Sequence, residues 1–293
     1  GLHYGAEKVG MLTIPSGVGN TKRQIQLMQD FNTTVFHATP SYILYVSEVM
    51  VQEGYDPKEF DLRIGFVGAE PHSEQTRQRI EDIYDINAFN SYGMSELNGP
   101  GVAFECEEKN GMHLWEDQYL LEIVDPNNGE VLGPGEEGEL VITTLGREAM
   151  PILRYRTGDL ARIVDDGEKC SCGRTHVRIS RIKGRCDDML IVRGVNLYPS
   201  QIEDVLMSFP EVATTYQIIL EREGSLDSLT VRVELYPKMF DGDLRKLKEL
   251  ESDILKSIQD EIVVRPRIEF LEPGSLPRTE GKAVRVVDMR DEM

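Results

Sequence analysis

A chain of 293 residues has the length for about two domains and for a substantial core. With 40% apolar and 28% charged residues it reads as a soluble globular protein, and no apolar run approaches the roughly 18 residues a membrane helix needs. The net charge of −19 argues against a nucleic-acid backbone as partner, which would demand a basic footprint, yet permits a nucleotide held by a local cluster of Arg, Lys and backbone N–H groups.

The first 90 residues alternate helical and strand patterns. Asn20 is placed to cap a helix through Ile25, Leu27, Met28 and Phe31. Thr33 to His37 reads as a short buried strand and Pro40 to Val51 as an apolar-striped helix. Leu62 to Val67 reads as a strand ending in Gly68-Ala69-Glu70-Pro71, followed by a polar helix to about Tyr84 and a short strand into Phe89. This rhythm predicts a largely parallel, helix-covered sheet. After Trp115 the pattern becomes short antiparallel strands: Gln118 to Val124, Gly138 to Thr144, and Arg162 to Val164 before Asp165-Asp166-Gly167.

A third pattern starts near Asp188. Met189 to Val192, Thr214 to Leu220, Ser228 to Leu235 and Arg267 to Leu271 read as strands, and Pro199 to Met207 and Leu244 to Ile262 as helices. The expected organisation is a large body over residues 1–187, with an α/β portion (1–97) and a β-rich portion (98–187), then a small mobile α+β domain over 188–293. No internal repeat or low-complexity tract interrupts it.

Four short islands hold the residues suited to chemistry. They are Ser91-Tyr92-Gly93-Met94-Ser95-Glu96, Arg154-Tyr155-Arg156-Thr157-Gly158-Asp159, Gly184-Arg185-Cys186-Asp187-Asp188 and Pro277-Arg278-Thr279-Glu280-Gly281-Lys282. Read singly, each is ordinary: a strand-to-loop turn with a solvated Glu96, a Thr-Gly-Asp turn with Arg156 in a loop-holding ion pair, and an exposed Lys282. The Gly68–Pro71 turn sits at a strand's carboxyl end, where open α/β sheets hold ligands.

In this order the islands resemble the acyl- and aryl-CoA ligases, the adenylate-forming enzymes, and among them the phenylacetate–CoA ligase branch. The resemblance covers essentially the whole chain and the family's middle and C-terminal portions. The family's Ser/Thr/Gly-rich phosphate loop would lie upstream of Gly1, and a start at Gly rather than Met reads as a processed or cloned piece. The implied fold is a helix-covered parallel sheet with an antiparallel β-subdomain and a small C-terminal α+β domain.

The resemblance also implies roles. Gly68, Ala69, Glu70 and Pro71 form an adenine-side loop, joined by Ser91, Tyr92, Gly93 and Met94. Ser95 touches phosphate or substrate, and Glu96 is the Mg²⁺ carboxylate. Asp159 accepts the ribose hydroxyls and Arg185 meets ribose or phosphate. Asp187 is the hinge that absorbs a backbone rotation. Arg193, Gly194 and Asn196 belong to a loop presented for thioesterification with coenzyme A. Lys282 stabilises charge at the α-phosphate during adenylation. The implied reaction is ATP-dependent activation of an aryl acid, phenylacetate first, to its adenylate and then its CoA thioester. Two alternatives stay open: an adenylyltransferase acting on a cofactor without CoA, and a catalytically incomplete chain that binds nucleotide or CoA. Phe36, Tyr42 and Tyr45, with His37, lie where an aryl pocket would be backed, and are equally placed to be core. The partners implied are small molecules, with neither nucleic acid nor membrane, and the resemblance is compatible with a homodimer.

The four cysteines suit no dense disulfide framework, and the chain reads as cytoplasmic and reduced. Cys106 and His113 flank a Lys109-Asn110-Gly111 turn, and Cys170-Ser171-Cys172 forms a second loop. Three thiolates and one imidazole satisfy tetrahedral Zn²⁺, so a structural zinc is expected, with His176 in reserve; four unrelated residues is the alternative.

Overall fold

A computed structural model describes residues 2–17, 19–97, 99–165, 169–223, 226–277 and 283–290. The N-terminal elements are helix α1 (Leu2–Val9), α2 (Thr21–Asp30), strand β1 (Val35–Ala38), α3 (Pro40–Gln52), β2 (Ile64–Gly68), α4 (Glu74–Tyr84) and β3 (Asn87–Met94). Local chemistry sets their ends. Asn20 caps α2, Thr39 caps α3 with Pro40 at its first turn, and the Ser73 hydroxyl accepts the Thr76 N–H at the start of α4. Strands β1, β2 and β3 run parallel, as the alternating pattern predicts. Ile43, Leu44, Val46 and Met50 of α3 pack with Ile80 and Tyr84 of α4 over Val67 and Ala88.

The next elements are β4 (Gly99–Glu105), β5 (Met112–Leu114), β6 (Tyr119–Val124), β7 (Gly138–Thr144), β8 (Tyr155–Ala161), β9 (Ile163–Asp165), β10 (Arg178–Ile179) and β11 (Gly184–Arg185). One sheet has seven strands in the order β1-β2-β3-β4-β5-β10-β9, turning antiparallel beyond β3. A second sheet, β11-β8-β7-β6, is antiparallel throughout. Leu114, Leu140 and Ile142 join the two in one core.

The C-terminal part comprises β12 (Leu190–Val192), β13 (Val195–Leu197), α5 (Pro199–Met207), β14 (Val212–Glu223), β15 (Leu226–Leu235), α6 (Leu244–Ile262), β16 (Arg267–Leu271) and β17 (Val286–Asp288). Its sheet order is β16-β15-β14-β17, with β14 and β15 antiparallel and both edges parallel. Leu250, Ile254, Ile258 and Ile262 recur every fourth residue and form the buried stripe of α6. A separate hydrophobic cluster, from Leu190 to Ile268, fills this part.

The sequence pattern leaves α1, β4, β5, β8, β10, β11 and β13 unmarked, and three departures bear on the site or on the C-terminal sheet. The strand expected to end at Phe89 continues through Met94, because β4 folds back antiparallel and supplies backbone partners for Ser91 to Met94. Thr157-Gly158-Asp159, expected as a turn before a strand, lies within β8. Strand β17 gives no periodic signal in three residues and exists through its pairing with Ile218 to Leu220 of β14.

Candidate functional site

The carboxyl ends of β1, β2 and β3 share one edge of the sheet. Gly68 closes β2 there. A Cβ at Gly68 would lie 2.1 Å from the Ser91 carbonyl oxygen, so only glycine permits this approach to β3. Ala69 then takes a left-handed φ of 68°, a conformation costing a non-glycine residue about 1–2 kcal/mol. The chain turns so that Glu70 points back across the edge. The Glu70 carboxylate accepts the Ser41 N–H at 2.6 Å and the Ala283 N–H at 3.2 Å.

The first, second and third islands meet. Tyr92 donates its hydroxyl to Asp159 Oδ2 at 2.7 Å, and burial with the adjoining Asp159 charge drives the phenol's pKa well upward. Asp159 pairs opposite Arg185 in the β8–β11 ladder. The Arg185 guanidinium reaches Asp159 Oδ1 at 3.4 Å and the Thr157 carbonyl at 3.1 Å, and grips both Asp187 oxygens at 2.8 and 3.1 Å. That fork holds the Asp187 carboxyl below its usual range. Gly158 has a φ of 79°, and a Cβ there would lie 2.7 Å from Arg185 Nη2. Glycine thus lets the guanidinium lie against β8. Arg156 faces away and binds the buried Glu139, the ion-pair role its sequence position allowed.

Gly93 sits where the β3–β4 register shifts, a bulge of the kind that re-aims side chains beside sites. Beyond Met94, Ser95 is exposed and Glu96 half-buried in a single 3₁₀ turn. Arg147 donates to the Glu96 carbonyl, a tie not anticipated from the sequence although Leu145-Gly146-Arg147-Glu148 leads into the second island. His37 meets Ser91, with Nε2 3.0 Å from Oγ. Phe36 points to the opposite face of β1, where its ring packs against Tyr84 and fills the space over Gly65. Tyr42 is also in the core and its hydroxyl lies 3.1 Å from Thr21 Oγ1; Tyr45 packs half-buried beside it. Of these aromatic positions, His37 is the one that touches an island residue among the described residues.

A cavity of about 370 Å³ lies between the Glu70–Pro71 turn and the C-terminal part; Gly184 and Asp187, on either side of Arg185, line it, whereas Tyr92, Asp159 and Arg185 are not among its walls. Glu70, Lys183, Asp187, Glu203, Tyr216 and Arg285 are among its walls. Glu203 of α5 is buried, accepting the Thr76 hydroxyl at 2.7 Å, the Tyr216 hydroxyl at 2.8 Å and the Ser73 N–H at 3.4 Å. No local pattern marked it, since a Glu on a helix normally faces solvent. Beside it His72 gives its Nδ1 to the Glu70 carbonyl at 3.3 Å, and burial lowers its pKa to about 4. Arg193 and Gly194, with φ of 51° and 80°, form the turn between β12 and β13; the Arg193 side chain donates to the Asp227 carbonyl at 2.8 Å, and Asn196 is exposed on β13. No hydrogen bond joins these three to the other islands among the described residues. Lys282 and residues 278–281 of its island lie outside the described residues.

Cys106, His113, Cys170 and Cys172 converge, their ligand atoms all within 4.8 Å of one another. The β5–β10 pairing of His113 with Arg178 brings the second loop to the first. Cys106 and Cys170 sulfurs are 3.7 Å apart, and Cys172 Sγ lies 3.5 Å from His113 Nε2. These match the roughly 3.8 Å edge of a tetrahedron with 2.3 Å metal–sulfur bonds. His113 Nδ1 is 3.2 Å from the His176 carbonyl, which directs Nε2 at the thiols. His176 therefore supports the set through its backbone; its ring packs against Trp115.

Comparison with known proteins assigns the chain. It is 45% identical over 99% of its length to the phenylacetate-coenzyme A ligase of Thermus thermophilus, of which it covers 68%, and 42% identical over 99% to that of Escherichia coli, of which it covers 66%. The chain belongs to the phenylacetate–coenzyme A ligase family. The AMP-binding enzyme model matches residues 6–147, and the AMP-binding enzyme C-terminal domain model residues 194–290. The chain thus spans about two thirds of the length of these ligases. Among solved structures, a 2-hydroxyisobutyryl-CoA ligase in the postadenylation state superposes with a TM-score of 0.92 at 30% identity, over 99% of this chain and 62% of that one. The same ligase in its thioesterification state, with coenzyme A, superposes at 0.60 over 99% of this chain and 61% of that one. The ligase fold expected from the islands is therefore the fold found.

Proposed function

We propose that this chain is the nucleotide- and CoA-handling part of a ligase that converts an aryl acid, phenylacetate in first place, to its CoA thioester. The observation that carries the reading is the convergence of Tyr92, Asp159 and Arg185, from three separate islands, in one hydrogen-bonded cluster. In adenylation a carboxylate oxygen attacks the α-phosphorus of ATP and the bond to the β-phosphate oxygen breaks, releasing pyrophosphate. Asp159 holds the ribose hydroxyls, exchanging its Tyr92 and Arg185 partners for them. The Gly68–Pro71 loop, the Glu70 carboxylate apart, and Ser91–Met94 flank adenine. Lys282 answers charge developing at the α-phosphate, where a point cation is needed only in passing. Magnesium, which neutralises phosphate charge, would be held by Glu96, whose half-buried carboxylate leaves the remaining positions to water and phosphate.

In the second step the thiol sulfur of coenzyme A attacks the acyl carbon, AMP leaves, and the thiol proton passes to solvent. The C-terminal part, residues 188–293, turns about Asp187 between the two steps and brings Arg193, Gly194 and Asn196 to the acyl group. The 0.92 and 0.60 superpositions on two states of one ligase support a docked arrangement of the adenylation kind here. Phenylacetate-dependent exchange of labelled pyrophosphate into ATP by the full-length enzyme tests the first step, and its absence rejects the assignment. ATP consumption that ignores coenzyme A would instead indicate an adenylyltransferase.

The Cys106–His113–Cys170–Cys172 set fits a structural zinc ion, which would pin the β4–β5 turn to the loop before β10. Reduced thiols in that role fit a cytoplasmic setting. Protein purified without added metal should contain about one zinc per chain and lose melting temperature in a strong chelator. Metal-free protein with unchanged melting refutes the site.

A further inference from the structure

We propose that Glu70 is a positioning residue for the lysine segment and not a ligand of the nucleotide. The inference rests on the reading of Lys282 as the adenylation lysine. Both Glu70 oxygens are engaged by backbone. Oε1 takes the Ser41 N–H in the first turn of α3, a donor with no partner inside its own helix. Oε2 takes the N–H of Ala283, the residue directly after Lys282. A carboxylate suits this bridge because it accepts at both oxygens and donates at neither, and because the N-terminal end of α3 favours negative charge.

The two bonds differ in origin. Ser41 belongs to the same layer as Glu70, whereas Ala283 arrives with the C-terminal part, three residues before β17. A turn of that part keeps the first bond and breaks the second. Glu70 therefore registers the lysine segment against the carboxyl end of β2 in the docked arrangement only. The strained left-handed Ala69 is what turns the carboxylate toward both donors.

Glu70→Gln keeps size and one acceptor but turns an NH₂ toward the second donor. In the full-length enzyme it should lower kcat for pyrophosphate–ATP exchange about tenfold, the loss of one charge-assisted bond. The Kd for AMP and the rate of thioester formation from supplied acyl-adenylate and coenzyme A should stay within about twofold. Ala283→Pro, which deletes the N–H, should reproduce this pattern. Amide exchange across residues 283–286 in the AMP-bound protein should quicken in Glu70→Gln, a readout independent of turnover. Lys282→Ala serves as the control. If it abolishes exchange while Glu70→Gln and Ala283→Pro leave kcat and amide protection intact, the positioning role is wrong and the lysine reading stands. If Lys282→Ala retains exchange, the lysine reading fails and takes this inference with it. A raised AMP Kd with unchanged kcat makes Glu70 a nucleotide ligand and also overturns the proposal.

Discussion

Inside the C-terminal part, Ile202, Leu206, Ile218, Val231, Ile254 and Ile258 are entirely covered by one another and by their neighbours. Where that part meets the α3–α4 layer, contact passes instead through polar groups. Glu203 reaches Thr76 and Ser73, Arg79 donates to the Val212 carbonyl at 2.8 Å, and the Thr214 hydroxyl donates to Glu48 at 3.0 Å. Apolar burial is cumulative and has no equivalent in water, so each covered Ile or Leu adds about 1.5–3 kcal/mol. A hydrogen bond across a seam exchanges with water and nets about 1 kcal/mol. The contrast teaches that the two kinds of contact differ in how easily water replaces them: the interior holds by cumulative burial, the underside by bonds that water can take over.

The largest expected effect breaks the interior. Ile254→Ala should destabilise the protein by about 2–5 kcal/mol through lost burial and a cavity, read as a lower urea midpoint. A loss under about 1 kcal/mol would mean the α6 stripe is not the anchor it resembles.

His72 should give the next effect, visible only in acid. It faces Arg181, Glu203, Asn90 and the Glu70 carbonyl, and stays neutral when folded down to about pH 4 against 6.5 for an ordinary histidine. Below pH 6.5 the unfolded chain therefore binds a proton that the folded one refuses, and stability falls as pH falls. The loss should total on the order of 3 kcal/mol by pH 4. His72→Gln should flatten that stretch of the urea-midpoint profile; an unaltered slope from pH 6.5 to 4 would rule histidine out as its source.

Glu203→Gln tests the seam itself. It should leave the melting of the C-terminal part nearly unchanged yet reduce occupancy of the docked arrangement by about tenfold, measured as a distance distribution between labels on α4 and α6. A folding defect without a shift in that distribution would place Glu203 with the interior. Arg79→Ala is the smallest case. Its carbonyl partners can turn to water, so a change below about 1 kcal/mol is expected in the same measurement.

The interior was the legible half. The stripe of α6 and the proline start of α5 are features that a sequence carries on its face, and β6 and β7 were legible as strands, although their burial does not alternate and β7 is covered on both faces. The cysteine and histidine positions were legible for another reason, since soft donors around tight turns have few other uses, and the fold brings them together. The seam was not legible. Glu203 looks like any solvated helix residue until Tyr216 and Thr76 arrive from elsewhere in the chain, and Glu70 is one residue of a turn until Ala283 reaches it. Long-range hydrogen bonds leave no local period. The site islands were legible as a set in order, but the joining of Tyr92, Asp159 and Arg185 required the pairing of β8 with β11, two strands that sequence pattern alone did not define. Phe36 shows the converse: an aromatic beside the site whose strand phase turns it inward.

Strand β17 begins at Val286, three residues beyond Ala283, and is hydrogen-bonded to β14. An extended backbone covers at most about 3.5 Å per residue, so the Ala283 N–H that Glu70 accepts sits on a tether of about 10 Å from that anchor. So short a leash couples the Glu70 bond to the edge of the C-terminal sheet. Displacing that edge by more than the slack of three residues must break the bond, which makes protection of the Ala283 amide a local gauge of where the sheet lies.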